Sequence, residues 1–382
     1  MASSSVNETL SLLKVFDQLG FQEIKKILVL DVGASGGIEP HWSSLGNKLS
    51  AIGFDPLVSE VKRLNETNTN SNVCYEEGFV TYNRLDQHFP HTLRDDPVAS
   101  VNNSSYERTS CVRATKAKQY DYVQQHFNAG QSVVYSDKYF QLDDYVQDHK
   151  IEVVDFIKID TDGHDFPVLL GAEKIIGTKG VLGLSVECQF HGSTHAYANT
   201  FSNIDQFLRA KGFTLFNLDV WKYSKAALPA PFVYDIYAQT QSGPAQWAEA
   251  VYFRDLADQS YERKFDFPIT KDKALKLACL YELFGLNDCA AEILLETHER
   301  FGFSPHLQEM LNTLTPSLKG RKVSYESYIQ KFDKNPDLWF PKTSLLKAKI
   351  RKLESVLNAL PGLKQLKIVK PLKKLVKWIR NR

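Results

Sequence analysis

The sequence predicts an α/β fold whose core is an open, mostly parallel sheet, followed by a helical region and a basic tail. Over roughly the first 240 residues, short apolar runs alternate with stretches of helical periodicity, which is typical of strands covered by helices. Several of these runs end directly at an acidic residue, where a parallel sheet has its ligand-binding edge. At 382 residues the chain is long enough for about two domains, and its 43% hydrophobic and 24% charged residues are ordinary for a globular protein.

The predicted elements follow in order along the chain. Residues 5–25 have the apolar spacing of an amphipathic helix, and Ser5 with Glu8 has the spacing of a capping box. Strands are expected at residues 27–30, 49–54, 73–80, 153–159, 180–186, 213–218 and 232–238. Helices are expected at residues 57–64, 117–127, 142–149 and 201–211, and at a segment with Pro167 near its start.

The pattern changes after residues 242–244, where Ser-Gly-Pro marks a loop. Beyond this loop the sequence shows helix signals at residues 245–256, 271–284, 290–300 and 304–314. We therefore expect four parts, which are an N-terminal helix at 1–26, a sheet domain at 27–242, a helical domain at 245–340 and a basic tail at 343–382.

The first predicted strand runs into a glycine-rich loop at residues 31–37, Asp-Val-Gly-Ala-Ser-Gly-Gly. Glycines let a ligand approach the main chain closely, and a helix expected directly after the loop would turn its first N–H groups towards that ligand. Asp55 at the end of the second strand is placed to accept hydrogen bonds from ribose hydroxyls. A dinucleotide site would need glycine at the positions of Ser35 and Ile38. The observed Asp-x-Gly-x-x-x-Gly spacing instead suits S-adenosylmethionine, whose cationic end needs a carboxylate rather than a phosphate cradle. The candidate cofactor residues are Asp31, Gly33, Ala34, Ser35, Gly37 and Asp55.

Three carboxylates, Asp160, Asp162 and Asp165, crowd the end of the fourth predicted strand. Four interpretations compete: a metal site of a sugar-nucleotide transferase, a phosphatase nucleophile, an acidic rim beside a methyl donor, and a helix cap. A phosphatase nucleophile would normally end the first strand, and a sugar-nucleotide transferase has no use for the glycine loop. The position in the chain therefore favours the acidic rim, and capping by one of the acids is compatible with it.

The segments "LDVGASGG", "GFDP", "LDDY", "FIKIDTDGHDFPVLLGAE" and "LSVE" resemble the successive motifs of the FkbM-type methyltransferases over residues 27–240. The family usually has Asn at the position of Ser35 and Glu at those of Asp55 and Asp162. The resemblance implies a Rossmann-like class I methyltransferase sheet with its last strand antiparallel, S-adenosylmethionine as donor, and O-methylation, often of a sugar or polyketide hydroxyl. It matches Gly33 to Gly37 and Asp55 to cofactor residues, and Asp160 to the acid beside the donor.

A hydroxyl acceptor must lose a proton during transfer, and a general base helps. The catalytic candidates at the carboxyl edge of the sheet are Asp160, Asp162, His164 and Glu187, with His191 and His195 as further residues that could touch substrate. Asp160 with Glu187 could instead hold Mg²⁺, so the need for a divalent metal stays open. The alternative functions are a metal-dependent sugar-nucleotide transferase that uses residues 160–162 and an inactive scaffold that binds a membrane or a partner.

From residue 343 onward basic residues dominate, giving the tail about +11 and leaving about −10 for the rest of the chain. Apolar residues line one face of its last segment at Leu366, Val369, Leu372, Val376 and Ile379. We therefore expect a basic amphipathic helix at residues 361–382. It would bind an anionic membrane surface, or it would dock on a protein or on the acidic remainder of this chain. Nucleic acid is not expected as a partner, because no reader motif accompanies the charge. The expected substrate is a small molecule or a glycan.

The five cysteines are scattered without a Cys-x-x-Cys pair, so neither a zinc site nor a disulfide framework is indicated. No apolar run is long enough to span a bilayer, and the first residues lack the pattern of a secretory signal. These features favour a cytoplasmic protein that the tail would hold peripherally at the inner face of the membrane.

Overall fold

The computed structural model describes residues 9–21, 24–82, 109, 134–191, 196–228, 239–318 and 320–335. It divides into two compact units, residues 1–307 and residues 308–382. The predictions that lie outside the described residues are the capping box at Ser5, the helix at 117–127, the strand at 232–238, His195 and the basic tail at 343–382.

A seven-stranded sheet forms the centre of the first unit. Its strands, with a separate two-stranded pair (β4 and β5), are β1 Ile27–Val32, β2 Leu49–Asp55, β3 Val73–Glu77, β4 Phe79–Val80, β5 Tyr139–Phe140, β6 Phe156–Ile159, β7 Gly183–Gln189, β8 Phe213–Lys222 and β9 Ala245–Arg254. The order in the main sheet is β3-β2-β1-β6-β7-β9-β8, and β9 runs antiparallel to both of its neighbours while the other pairs are parallel. This confirms the predicted fold class, a mostly parallel Rossmann-like sheet with its last strand antiparallel.

Helices surround this sheet, and others make up the described part of the second unit. They are α1 Ser11–Gln18, α2 Val58–Thr67, α3 Leu142–Asp148, α4 Asp165–Leu170, α5 Glu173–Thr178, α6 Phe201–Ala210, α7 Tyr261–Phe265, α8 Lys271–Leu283, α9 Asn287–Phe301, α10 Leu307–Leu314 and α11 Tyr325–Lys334, with 3₁₀ segments at Pro40–Lys48 and Ser304–His306. In the ranges described, none of these helices has both the length and the apolarity required to cross a membrane.

One face of the sheet packs against α3 to α6 through a continuous aliphatic core. Ile157 and Val186 are fully buried from the sheet side, and Val168 and Ile204 are fully buried from the helix side. Burial of this kind stabilises the fold by about 25 cal/mol for each Å² of apolar surface removed from water. The sequences of β1, β6 and β7 are continuous apolar runs because parallel strands are covered by other elements on both faces.

The opposite face packs against the 3₁₀ segment and α8 through aromatic side chains. The ring of Phe156 lies 5.0 Å from that of Trp42 and 5.2 Å from that of Phe284, measured between centroids. Phe253 on β9 lies 5.0 Å from Tyr281 on α8 in the same way. The helix α8 is therefore part of the sheet's own core.

A buried ion pair joins α8 to the edge of the sheet where the strands begin. Lys276 Nζ lies 2.9 Å and 3.0 Å from the two carboxylate oxygens of Asp155, and both residues are about fully buried, with 2% and 1% exposure. The second oxygen of Asp155 also accepts a hydrogen bond of 2.8 Å from the Leu28 amide. The pair therefore links β1, the residue before β6, and α8.

The helix predicted at 245–256 is wrong, because Ala245–Arg254 is strand β9. The alanines, glutamine and glutamate of this segment favour a helix by composition. In the sheet its residues alternate between buried and half-buried in the first half and are buried on both faces in the second half. Long-range pairing with β7 and β8 thus overrides the local preference, and the division expected at 242–245 would separate this strand from its sheet.

The strand predicted at 73–80 is broken at Gly78, which has φ +151° and donates its amide to the Asp55 carbonyl at 3.1 Å. The chain then leaves the main sheet, and Phe79–Val80 pairs with Tyr139–Phe140. The N-terminal helix is also shorter than the predicted 5–25, because Gly20 takes a left-handed φ of +76° soon after Ser11–Gln18.

We predict that Lys276→Met lowers the free energy of unfolding by about 3–5 kcal/mol, since it leaves the Asp155 carboxylate buried without its cation. The double variant Asp155→Asn/Lys276→Met should recover much of that loss, because both charges are then gone. Urea denaturation of the three proteins measures these values. Equal stability of Lys276→Met and the parent protein would contradict the predicted role of the pair.

Candidate active site

The order of the strands reverses between β1 and β6, which creates a crevice beyond their carboxyl ends. From β1 the chain builds outward through β2 and β3 on one side, and through β6 and β7 on the other. Ligands of open α/β sheets bind at such a switch point. The structure places the glycine loop, Asp55 and Asp160 at this edge, since they follow β1, β2 and β6 respectively.

The glycine loop is held between the ends of β2 and β6. The amides of Gly33 and Ala34 both donate to the Phe54 carbonyl at 3.0 Å, and the Asp160 amide donates to the Val32 carbonyl at 2.9 Å. Gly33 has φ +85°, and a Cβ at this position would lie 1.8 Å from the Asp160 carbonyl oxygen. Only glycine fits here, so the loop and the segment after β6 are in direct main-chain contact.

The rest of the loop differs in part from the prediction. Gly36 and Gly37 also have left-handed φ values, +83° and +93°, and Ser35 is exposed. The Gly36 amide donates to Glu60 at 2.9 Å, so it is already paired. The helix expected directly after the loop is the 3₁₀ segment Pro40–Lys48, which begins after two further residues, so it does not present a row of helix-start amides to a ligand.

Asp31 and Lys158 form a buried ion pair beneath the loop. Asp31 is fully buried, and its Oδ1 lies 3.3 Å from Lys158 Nζ, but neither of its oxygens accepts a well-formed hydrogen bond within the described residues. Burial raises the pKa of Asp31 to about 6, against the opposing effect of Lys158. A buried carboxylate that accepts no hydrogen bond in the described residues, and whose neighbouring ammonium is shared with other acids, suits a ligand with a cationic group.

Lys158 also lies 3.6 Å from Glu39 and 3.7 Å from Asp160, so one ammonium faces three carboxylates. Although burial opposes it, these carboxylates together raise the pKa of Lys158. The sequence analysis missed this residue as part of the site. The available signal was a single lysine inside the otherwise apolar run at 156–159.

Asp55 ends β2 with 6% exposure, and burial raises its pKa. Its Oδ1 accepts a hydrogen bond of 2.8 Å from the Leu57 amide, which fixes the carboxylate at the start of the following turn. No hydrogen bond to Oδ2 is formed within the described part of the chain, so this oxygen is available to a ligand.

The three clustered aspartates have different roles, because Asp165 holds the loop together. It is fully buried and accepts hydrogen bonds from the Thr161 amide at 2.9 Å, the Gly163 amide at 3.2 Å and the Asn199 side chain at 2.9 Å. Burial raises its pKa to about 6. The capping interpretation is wrong, because the helix has no side-chain cap and Asp165, its first residue, bonds the loop that precedes it. Asp160 and Asp162 remain exposed. Asn199 is a second residue that the sequence analysis missed.

Asp160, Asp162 and Glu187 bring their carboxylates together across the ends of β6 and β7. One oxygen from each lies within 4.8 Å of the others. Burial raises the pKa of Glu187 to about 10, and the charges of Asp165 and Asp160 act in the same direction. Burial and Asp160 also raise the pKa of Asp162. Such a group can share a proton, and its oxygens are also the ligands that Mg²⁺ prefers.

His164, the remaining catalytic candidate, is held by a contact with Thr81. Its Nε2 lies 2.8 Å from Thr81 Oγ1. Burial lowers the pKa of His164 to about 4, so the ring is neutral at neutral pH. Within the described residues no hydrogen bond connects it to the three converging carboxylates. His191 follows β7, and no substrate role can be read from its position.

Comparison with known proteins identifies a family for the central part of the chain. Residues 46–215 match the model of the methyltransferase FkbM domain. The glycine loop precedes this span, so its assignment rests on its place in the sheet. Among curated proteins none matches the sequence.

Solved structures of methyltransferases are similar to the chain at low identity. A TehB-like SAM-dependent methyltransferase from Corynebacterium glutamicum is 10% identical, with a TM-score of 0.26 and coverage of 65% of this chain and 89% of that one. A SAM-dependent methyltransferase from Aquifex aeolicus is 12% identical, with a TM-score of 0.27 and coverage of 64% and 90%. The magnesium protoporphyrin IX methyltransferase of Synechocystis, solved with SAM, is 11% identical, with a TM-score of 0.23 and coverage of 63% and 77%. Because these TM-scores are low, the family assignment rests on the domain match.

We predict that Gly33→Ala abolishes binding of S-adenosylhomocysteine and destabilises the protein, because its Cβ has no space beside the Asp160 carbonyl. Gly36→Ala is the matched control, since Gly36 has nearly the same φ but no atom within 4 Å of the position that a Cβ would occupy. It should lose only about 1–2 kcal/mol of stability from the left-handed backbone. Calorimetric titration and thermal unfolding measure both effects, and similar losses in the two variants would contradict the steric explanation.

We predict a pH-dependent difference in stability between the parent protein and Asp31→Asn. The native pKa of Asp31, about 6, exceeds its ordinary value of 3.8, so the native state binds this proton more tightly than the unfolded state. The parent should therefore lose up to about 3 kcal/mol relative to the variant as the pH rises from about 4 to 7. Urea denaturation at several pH values tests this, and parallel stability curves would contradict it.

Proposed function

We propose that this chain, whose residues 46–215 match the methyltransferase FkbM domain, transfers a methyl group from S-adenosylmethionine to a hydroxyl of a small molecule or glycan. The match at 46–215 confirms the expected family and enzyme class. The observation that carries the proposed site is the contact of Gly33 with the Asp160 main chain at the switch point of the sheet.

The described residues fit a donor that has a nucleoside at one end and a cationic amino acid at the other. Asp55 offers a carboxylate oxygen to ribose hydroxyls at the end of β2. The loop at 31–37 allows close approach to its main chain, and the buried carboxylate of Asp31 offers a negative charge without a hydrogen-bond partner in the described residues. We assign donor binding to the loop, Asp31 and Asp55.

When bound, the donor supplies a methyl group activated by a sulfonium sulfur. Transfer forms a carbon–oxygen bond and breaks the carbon–sulfur bond, and it gives a methyl ether, S-adenosylhomocysteine and one proton. The chain's part is to orient the acceptor and to take up that proton. We assign proton uptake to Asp160 at the end of β6, with Asp162 beside it. Glu187, on the neighbouring end of β7, is protonated at neutral pH because its pKa is about 10, and we assign it to orienting these two acids.

A divalent cation at the same three carboxylates is the alternative to a proton-accepting role. It would lower the pKa of the acceptor hydroxyl and would leave the protein with no need for a separate base. Turnover that survives EDTA assigns proton uptake to the carboxylates, and turnover that EDTA abolishes and Mg²⁺ restores assigns it to the metal-bound form.

The basic tail supports a proposal for location, although it lies outside the described residues. We assign the protein to the cytoplasm, with residues 361–382 on an anionic membrane surface. A membrane-associated carbohydrate, such as an intermediate of a surface polysaccharide, is the acceptor that this location favours.

Titration with S-adenosylhomocysteine, with a nucleoside-diphosphate sugar plus Mn²⁺, and with a dinucleotide tests the donor assignment. We expect binding of S-adenosylhomocysteine alone. Asp55→Ala should weaken the binding of S-adenosylhomocysteine by about 1.5–3 kcal/mol, which is the value of hydrogen bonds to a charged group. Asp148→Ala, at an exposed position, is the control and should leave this binding unchanged. Binding of the sugar nucleotide alone would select the transferase alternative, and binding of none would select the scaffold.

We predict that the protein floats with vesicles that contain anionic lipid and that a chain ending at residue 360 does not. High salt should release the full chain, because the attraction of the tail is electrostatic. Flotation that is unchanged by the truncation would contradict the membrane assignment, and docking of the tail on a protein or on the body would then replace it.

A further inference from the structure

Strands β7, β9 and β8, which lie beside the proposed donor site, carry two rows of functional side chains on one face of the sheet. In the first row Glu187 on β7 lies opposite Glu249 on β9, which lies opposite Asp219 on β8. Cross-strand partners point to the same face, so the three acids form a line. The line begins at Glu187, whose carboxylate meets those of Asp160 and Asp162, and it leads away from the proposed methyl transfer site.

The three acids of this row have no cationic partner in the part of the chain that the structure describes. Glu249 accepts a hydrogen bond from Ser185 Oγ at 3.1 Å, and no basic side chain of those residues forms an ion pair with Glu187 or Glu249. The nearby Lys158 is already shared among other carboxylates. Burial raises the pKa of Glu249, and the charges of Glu39, Asp160 and Asp219 add to that effect.

The second row lies two residues further along the same face and consists of Gln189, Trp247 and Trp221. Gln189 is 3% exposed, and its Oε1 accepts no hydrogen bond within the described residues. A buried acceptor without a donor is costly, by about 1–3 kcal/mol, so a ligand that donates an N–H or O–H at this position would satisfy it.

The two tryptophans form a flat, fixed surface beside these acceptors. The rings of Trp221 and Trp247 stack with centroids 4.1 Å apart and an angle of 3° between their planes. Trp247 Nε1 donates to the hydroxyl of the buried Tyr223 at 2.9 Å, which fixes the orientation of the ring. Both tryptophans are only half-buried, so part of the stack faces solvent.

We propose that this face is the acceptor subsite and that it binds a positively charged amino group of the acceptor, which carries the hydroxyl to be methylated. The inference rests on the proposed function, because it takes the carboxyl ends of β1, β2 and β6 as the place of methyl transfer. Glu249, Glu187 and Gln189 accept hydrogen bonds from the ammonium group, and the tryptophan stack holds the apolar body and adds cation–π attraction. An amino sugar or another amino alcohol has this chemistry.

A cation explains the site better than a neutral or anionic group does. A neutral polyol would satisfy the hydrogen-bond acceptors but would leave three acids in a row without a cation. A phosphate or carboxylate would place a further acidic group beside them. An ammonium group satisfies the acceptors and supplies the cation that the row lacks.

The test uses two probes with the same ring, glucosamine, which is cationic, and N-acetylglucosamine, which is neutral. Each is titrated into the full chain saturated with S-adenosylhomocysteine. We expect glucosamine to bind at least tenfold more tightly, and Glu249→Gln to remove most of that preference. Trp247→Leu should weaken the binding of both sugars, because it removes the ring on which their apolar faces pack. Glu299→Gln, an exposed acid on α9, is the matched control and should change nothing.

Equal or absent binding of the two probes, or a preference that persists in Glu249→Gln, would overturn the proposal. If Glu249→Gln fails to fold, Asp219→Asn at the exposed end of the row replaces it, with an expected two- to threefold loss of preference. Titrations without S-adenosylhomocysteine separate this inference from the proposed function. A preference for glucosamine in a chain that does not bind S-adenosylhomocysteine would leave the amine subsite standing while the donor assignment fails.

Discussion

The absence of a side chain at Gly33 is the constraint on which the rest of the site depends. Its main chain lies so close to the Asp160 carbonyl that any Cβ would collide with it. The ends of β1 and β6 are thereby held in direct contact. At this edge the register of β1 with β6 sets Asp31 opposite Lys158, and the register of β6 with β7 brings Asp160 beside Glu187.

Charge at this edge of the sheet is distributed unevenly, and the imbalance indicates which ligands belong there. Lys158 is the cation that the described residues place among the acids, and three carboxylates already surround it. Burial keeps Asp31, Glu187 and Glu249 from ionising freely. Asp31 shares one lysine with two other acids, and Glu187 and Glu249 form no ion pair within the described residues. Folded proteins usually pair buried acids with cations, so this site is arranged for positive charge that arrives with its ligands.

Local sequence patterns predicted the elements that bury continuous apolar runs and the acids that end them. Asp31, Asp55, Asp160 and Glu187 were placed at one edge because parallel strands share their carboxyl ends. Lys158 and the tryptophan pair could not be predicted in this way, because their roles come from register between strands far apart in the chain. The same cause explains the error at 245–254, where composition favoured a helix and pairing with two strands formed β9.

The buried pair of Asp155 and Lys276 has a consequence for how such chains recombine. One partner precedes β6 and the other lies on α8, beyond the last strand of the sheet. A chimera that joins the front of this chain to the back of a relative would inherit one buried charge without its counterpart, unless the crossover brings both. The helix α8 is therefore inseparable from the core of the sheet, and any exchangeable block must begin after α8 and not at residue 242.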